Sequence, residues 1–255
     1  MKRIHFIVLF IFFIIVLLNL CFVVLKEENE PLTQKESLQQ TELQKTPDID
    51  LTNVFIASAA EQSPNQELQI YTLSQAEIDN THIKLEANMI NDQYISGKVE
   101  STIAFRYGTF TFRVNSITGT GLFPAIWLLP IDGKNYPEVD IYEAIGNEPH
   151  KIYGVLHYLK DEQKKRDFFK HKFPKKNIPD TYLIRFEWSA EEMVWYLNDE
   201  KIYSIQKNVP NQHMYMIMNL AVGGIWPGEP DESTIFPTSF EIEVLEFNPK
   251  ETYLR

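Results

Sequence analysis

YLIRFEW (182–188) alternates in type at every step: Ile184, Phe186 and Trp188 are apolar, while Arg185 and Glu187 between them are charged. A period of two is the signature of a strand with one face toward a core and the other toward water. The same alternation recurs in FTFRVN (110–115), with Phe110, Phe112 and Val114 on one side, and in FEIEV (240–244), with Phe240, Ile242 and Val244. MVWYL (193–197) and KIYSI (201–205) flank Asn198-Asp199-Glu200, which reads as a hairpin connection. MYMIMNLAV (214–222) is apolar nearly throughout, as a central strand buried on both faces would be. No long helical period and no internal repeat is visible. Many short amphipathic strands joined by turns predict an all-β domain, a β-sandwich of the jelly-roll type.

This pattern begins near Leu51 and runs to the end of the 255-residue chain. Before it lie two other kinds of sequence. Lys2 and Arg3 precede residues 6–25, twenty residues interrupted only by Asn19 among the apolar ones. Such a run is long enough, as a helix, to cross about 30 Å of hydrocarbon. It ends in Val23-Val24-Leu25 with no small-residue cleavage pattern, so an uncleaved membrane anchor is expected, with a cleaved signal as the alternative. Basic residues before the run and Glu27, Glu28 and Glu30 after it orient the bulk of the chain outward. The expected location is therefore the cell membrane, single-pass with the domain outside, or secreted if the segment is removed. Residues 26–50 carry three basic and seven acidic side chains and no aromatic one, and read as a disordered acidic linker.

Composition excludes several functions. The chain has 35 Asp+Glu against 24 Lys+Arg, a net charge of −11, which argues against a nucleic-acid partner. One cysteine, Cys21, leaves no disulfide framework and no cysteine-rich metal site. Gly223-Gly224 lacks the spacing of a phosphate-binding loop. Aromatic residues reach 13%, which suits flat apolar binding surfaces.

The chemistry concentrates in EVDIYE (138–143). Glu138 and Asp140 are two apart and share one face of a strand, whereas Glu143, five from Glu138, would face the other way. One extra residue, a β-bulge, would bring Glu143 round to join them. The plainer alternative is three surface acids on a solvated face. It fits poorly, because Val139, Ile141 and Tyr142 leave no continuous second apolar face unless the strand bends.

Around that strand stand NQELQIYT (65–72), YISGKVES (94–101), GTGLFPAIWLLP (119–130), EVDIYEAIGNEPHKIYGVLHY (138–158) and NLAVGGIWPGEPDESTIFP (219–237). In this order they resemble glycoside hydrolase family 16, most closely its bulged laminarinase-like branch, whose active strand reads Glu-x-Asp-x-x-Glu. The resemblance implies a jelly roll with a concave substrate cleft, and retaining hydrolysis of internal β-linkages in a polysaccharide. It makes Glu138 the nucleophile, Glu143 the general acid/base, and Asp140 the residue that orients the nucleophile. Endo-β-1,3- or β-1,3-1,4-glucanase activity is the leading expectation. Transglycosylation at a cell surface, or glycan binding without catalysis, are the alternatives.

The resemblance also implies substrate contacts. Trp127 and Trp226 lie in blocks whose tryptophans line the sugar subsites, and Phe123 stands where many relatives carry tryptophan. Tyr136 would be a further platform, and His157 resembles a cleft histidine, with a structural role as the alternative for each. Asn65 and Asn219 would bond sugar hydroxyls or else satisfy a turn or a buried backbone group. Trp188 and Trp195 lack such a match and are expected in the core. No cofactor or catalytic metal is expected; some relatives hold a structural calcium, which no residue pattern here supports. A monomer is expected. Finally, residues 160–177 carry eight Lys/Arg against three Asp/Glu. They read as a solvated loop or, more sharply, as a contact for anionic lipids or a charged cell-surface polymer.

Overall fold

Alternation sorts the apolar residues of nearly every strand to one side, and two sheets close over them as a jelly-roll-like β-sandwich. The structure, a computed structural model, describes residues 50–60 and 65–255. The expected membrane segment 6–25 and all of the linker except Asp50 lie outside the described residues. Among the described residues no helix is long and apolar enough to cross a membrane.

One sheet of seven strands runs, edge to edge, β1 (Phe55–Ala57), β6 (Lys98–Ser101), β16 (Met214–Val222), β9 (Leu122–Pro130), β10 (Glu138–Ala144), β11 (Lys151–Lys160) and β12 (Gln163–Lys172). The other sheet runs β15 (Glu200–Ile205), β14 (Met193–Leu197), β13 (Thr181–Trp188), β8 (Gly108–Asn115), β17 (Thr238–Pro249), β4 (His82–Ile90), β5 (Gln93–Ser96) and β2 (Ile70–Tyr71), with β3 (Ala76–Ile78) also on β4. A small pair joins β7 (Ile103–Ala104) to β18 (Tyr253–Leu254).

Between the large sheets Met214, Met216, Met218, Leu220 and Val222 of β16 face Phe110, Phe112, Phe186 and Phe240, all fully buried. Each such side chain contributes about 1.5–3 kcal/mol of burial energy. Residues 214–222 are the buried central strand that their composition predicts, and Trp188 and Trp195 lie in the core. The 193–205 hairpin turns on Asn198 and Asp199 alone, at φ 48° and 66°, the left-handed pair that a two-residue hairpin requires. Glu200 already belongs to β15, opposite Leu197.

Residues 160–177 correct the loop expectation. Most of the segment is strand: β11 and β12 form one ten-residue hairpin ladder that turns at Asp161 and Glu162. The basic side chains therefore have fixed faces.

In β10 the pairing with both neighbours shifts after Asp140, so the strand carries a bulge at Ile141 and Tyr142. Both side chains turn into the core, where the Tyr142 and Tyr182 hydroxyls lie 2.9 Å apart. The irregular backbone is tied to the second sheet: Trp195 Nε1 donates to the Ile141 carbonyl at 3.1 Å. Gly154 of β11 leaves room for this contact, since a Cβ there would stand 2.3 Å from Phe169 Cε1 and 2.9 Å from Trp195 Nε1. Removing the indole donor leaves a buried carbonyl unpaired, which costs about 1–3 kcal/mol. Trp195→Phe is expected to lose at least that much stability in urea unfolding; an unchanged midpoint would show that the bulge does not depend on the bond.

Candidate active site

The bulge determines which way the acids point. With one extra residue in β10, Glu138, Asp140 and Glu143 all leave the strand on the outer face of the seven-stranded sheet, while Val139 and Ala144 stay in the core. This is the arrangement that one β-bulge in the strand would give, against the regular strand in which Glu143 faces the other way. Asp140 lies opposite Trp127 of β9, and Glu143 opposite Ala125 of β9 and Tyr153 of β11. Glu138 faces His157 of β11.

His157 lies against the first two acids. Its Nε2 is 3.3 Å from Asp140 Oδ2 and 3.9 Å from Glu138 Oε1. The closer pair is near enough for charge attraction but not aligned for a hydrogen bond, so Asp140 Oδ2 is buried without a hydrogen-bond partner. Asp140 is only 4% exposed. Burial, and then the charge of Glu138, push its proton affinity well above the ordinary carboxylate range. Glu143 is raised well above that range too, chiefly by burial and then by Asp140, against the opposing influence of His157 and Arg166. Glu138 is raised less: burial lifts it, and His157 and Lys164 pull it back. The three carboxyls thus divide into two that hold protons strongly and one that ionises more readily. An acid beside a carboxylate able to attack is what a double-displacement reaction at an acetal carbon requires.

Glu138, Asp140 and His157 also offer three ligand atoms within 4.8 Å of one another, the one such grouping among the described residues.

Aromatic side chains flank the acids along both ends of β10. Trp226 is 44% exposed on the turn that follows β16, and its ring meets the edges of Phe123 at 5.3 Å and Tyr153 at 4.9 Å. The Asn65 carbonyl accepts from Ile225 N–H in that turn, and Asn65 itself is exposed. At the other end Tyr136 precedes Glu138, with Lys164 Nζ 5.5 Å over its ring. Trp127 is half-buried beside Asp140, and its Nε1 donates to Asn219 Oδ1 at 2.7 Å. Asn219 in turn donates to the Tyr71 hydroxyl at 3.1 Å and is 7% exposed. Its amide thus holds two side chains, Trp127 and Tyr71, rather than the turn or buried backbone group that the sequence offers as its alternative.

Three site residues escaped the sequence reading. Tyr153 shares the parity of His157 on β11, which was a usable signal. Lys164 and Arg166 stood out only as members of the basic run 160–177, and as a loop that run gave them no face. A cavity of about 390 Å³ lined by Tyr107, Glu187, Trp188 and Lys250 includes no residue of the acidic strand.

Comparison with known proteins gives one consistent picture. The sequence profile of glycosyl hydrolases family 16 matches residues 63–242. The endo-1,3-1,4-beta-glycanase ExsH of Rhizobium meliloti is 30% identical over 166 residues, covering 63% of this chain and 35% of that protein. The glucan endo-1,3-beta-glucosidase A1 of Niallia circulans is 28% identical over 221 residues, covering 71% of this chain and 32% of that one. The chain thus spans about a third of the length of these curated relatives. Among solved structures, the laminarinase catalytic domain of Thermotoga maritima superposes with a TM-score of 0.66 at 25% identity, over 75% of this chain and 91% of that one.

The raised proton affinities have a consequence for stability. Between the ordinary carboxylate range near pH 4 and their own raised values, Asp140 and Glu143 hold protons that the unfolded chain has released. The native state binds more protons there, so stability falls as pH rises. Each retained proton contributes a slope of up to about 1.4 kcal/mol per pH unit. Glu143→Gln removes one of them, and its urea-unfolding free energy is expected to fall less steeply between pH 4 and 8 than that of the unsubstituted chain. Parallel profiles would show that Glu143 is not protonated in this window.

Proposed function

The chain belongs to glycosyl hydrolases family 16, and from that premise we propose that it is a retaining endo-β-glycanase acting on β-1,3 or mixed β-1,3-1,4 linkages of an extracellular polysaccharide. The observation that carries the proposal is the bulge that turns Glu138, Asp140 and Glu143 to one face with unequal proton affinities. A surface that only bound sugars would gain nothing from three crowded carboxyls.

In the proposed reaction Glu138, the least perturbed of the three, attacks the anomeric carbon. Glu143 gives its proton to the departing oxygen, so the leaving sugar is released as a neutral hydroxyl. The covalent glycosyl-enzyme neutralises Glu138, and the now ionised Glu143 takes a proton from water as that water attacks the same carbon. Two inversions leave the configuration retained. Asp140, whose burial favours its protonated form, would donate to the neighbouring Glu138 and so steady that carboxylate before attack and as a leaving group afterwards. His157 lies against both.

Trp127, Trp226, Phe123, Tyr153 and Tyr136 offer flat faces on both sides of the acids for the C–H faces of sugar rings. Platforms on both sides suit a polymer gripped in its interior. Residues 6–25 support a domain held outside the cell by a membrane anchor.

The test is reducing-end release from β-1,3- and mixed-linkage glucans by the 255-residue chain and its variants. Glu138→Gln and Glu143→Gln are each expected to lower release by at least about 100-fold. In Glu143→Ala acting on an aryl β-glycoside, whose leaving group departs without an acid, azide is expected to restore turnover as a β-glycosyl azide, because a small anion needs no general base. Release undiminished in Glu138→Gln would refute the assignment of the nucleophile.

A further inference from the structure

We infer that the polysaccharide taken by this site is anionic, and that β12 is the cationic wall that recognises its ionised groups. The inference rests on the glycanase reading above and specifies its substrate class.

Period two sorts β12 into two sets. Asp167, Phe169 and His171 are half-buried on the inner face, where Phe169 packs on Trp195 and Tyr203. Lys164, Arg166, Phe168, Lys170 and Lys172 alternate with them and are exposed. The register places Arg166 opposite His157 and Lys170 opposite Tyr153, which are residues of the acidic face. Four of the strand's five cations therefore share a face with Glu138, Asp140 and Glu143. They stand two strand spacings, about 10 Å, from β10. Two of them reach toward the acids: Lys164 lies over Tyr136 and acts on Glu138, and Arg166 acts on Glu143.

Among the described residues none of these four makes an ion pair, whereas Lys98, Lys151, Arg113 and Arg185 each pair with a glutamate. Lysine on an edge strand guards against mispairing, but that purpose is indifferent to the face it occupies. A neutral glucan gives exposed ammonium groups hydroxyl oxygens but no opposite charge. A polyanion, by contrast, would be repelled by a chain of net charge −11 and by the site's own carboxyls unless local cations reversed the field. Arg166 suits a carboxylate, sulfate or phosphate substituent because its planar fork makes paired hydrogen bonds. A membrane surface would use the same charges. The polysaccharide is favoured because the cations border the acids and aromatic platforms, where a bound sugar chain would lie.

The experiment compares β-1,3- and mixed-linkage glucans with carboxymethylated forms of the same length, and the salt and charge-removal arms below separate the added charge from the added bulk. Binding is measured with the Glu138→Gln chain and turnover with the unsubstituted one. At low salt the carboxymethylated form is expected to bind at least tenfold tighter than its neutral parent. R166Q/K170Q, or 0.5 M salt, is expected to bring that ratio near one. K201Q/K207Q makes the same change in net charge on β15 of the other sheet and the bend that follows it, and is expected to leave the ratio intact. Any effect of Arg166 on Glu143 falls on both polymers alike, so the ratio isolates substrate charge. A starting ratio near one, or no binding of either form, overturns the inference. So does a ratio untouched by R166Q/K170Q, including the case where that variant instead loses binding to vesicles of anionic lipid. Absence of turnover on every polymer with the binding ratio intact would strike the hydrolase reading and uphold this one.

Discussion

One inserted residue governs the site. A regular strand sends residues 138 and 143 to opposite faces, and only the extra residue at Ile141–Tyr142 brings Glu143 beside Asp140. Such an insertion disturbs the ladder and leaves backbone groups in need of partners. The partner comes from the opposite sheet, as the Trp195 indole N–H on the Ile141 carbonyl. That contact in turn needs the bare backbone of Gly154 and the ring of Phe169 beside it. The geometry of the acids on the outside is thus held by an aromatic packing arrangement in the core. A substitution at Trp195 or Gly154, neither of which faces the acids, would move the chemistry.

The second dependence is electrostatic. Burying three carboxyls together is unfavourable if all are charged, and burial and mutual charge accordingly raise the proton affinities of Asp140 and Glu143. The cations at the border do not neutralise the cluster outright, because none forms a close pair with it. They act unequally instead. Lys164 and His157 favour the ionised form of Glu138, while Arg166 only partly offsets the burial of Glu143. A direct salt bridge to Glu143 would remove the difference in proton affinity on which a division into acid and nucleophile depends.

Most of the fold was legible because it is written locally. Alternation in 110–115, 182–188 and 240–244 sets strand and face without reference to any partner. The bulge was legible for the same reason: the parity of three acids conflicts with the apolar residues between them. What stayed hidden depends on neighbours distant in sequence. Nothing in residues 160–177 marks a strand, since Asp161-Glu162 lacks the glycine or asparagine that usually announces a tight hairpin, and a dense run of lysines resembles a solvated loop. The commitment of Asn219 to Trp127 follows from the register of β16 on β9, which no spacing within either strand reveals. Tyr153 lay within reach of parity with His157, but only once β11 was known to border the acids.

Geometry and recognition are therefore carried by different parts of the same sheet. β10 has neighbours on both sides and a core contact behind its bulge, so a change there disturbs pairing on two flanks and packing on a third. β12 is an edge strand with one neighbour, and its outer-face side chains are exposed. They can change sign or size at little cost to the ladder or the core. A fixed catalytic strand beside a replaceable edge lets one mechanism be turned toward polymers of different charge. The Trp226 turn gives the same freedom at the other flank, because it follows the end of β16 and its ring is held by edge contacts to Phe123 and Tyr153. Selection for a new substrate would act on these two margins while Glu138, Asp140, Glu143 and the Trp195 bond stayed as they are.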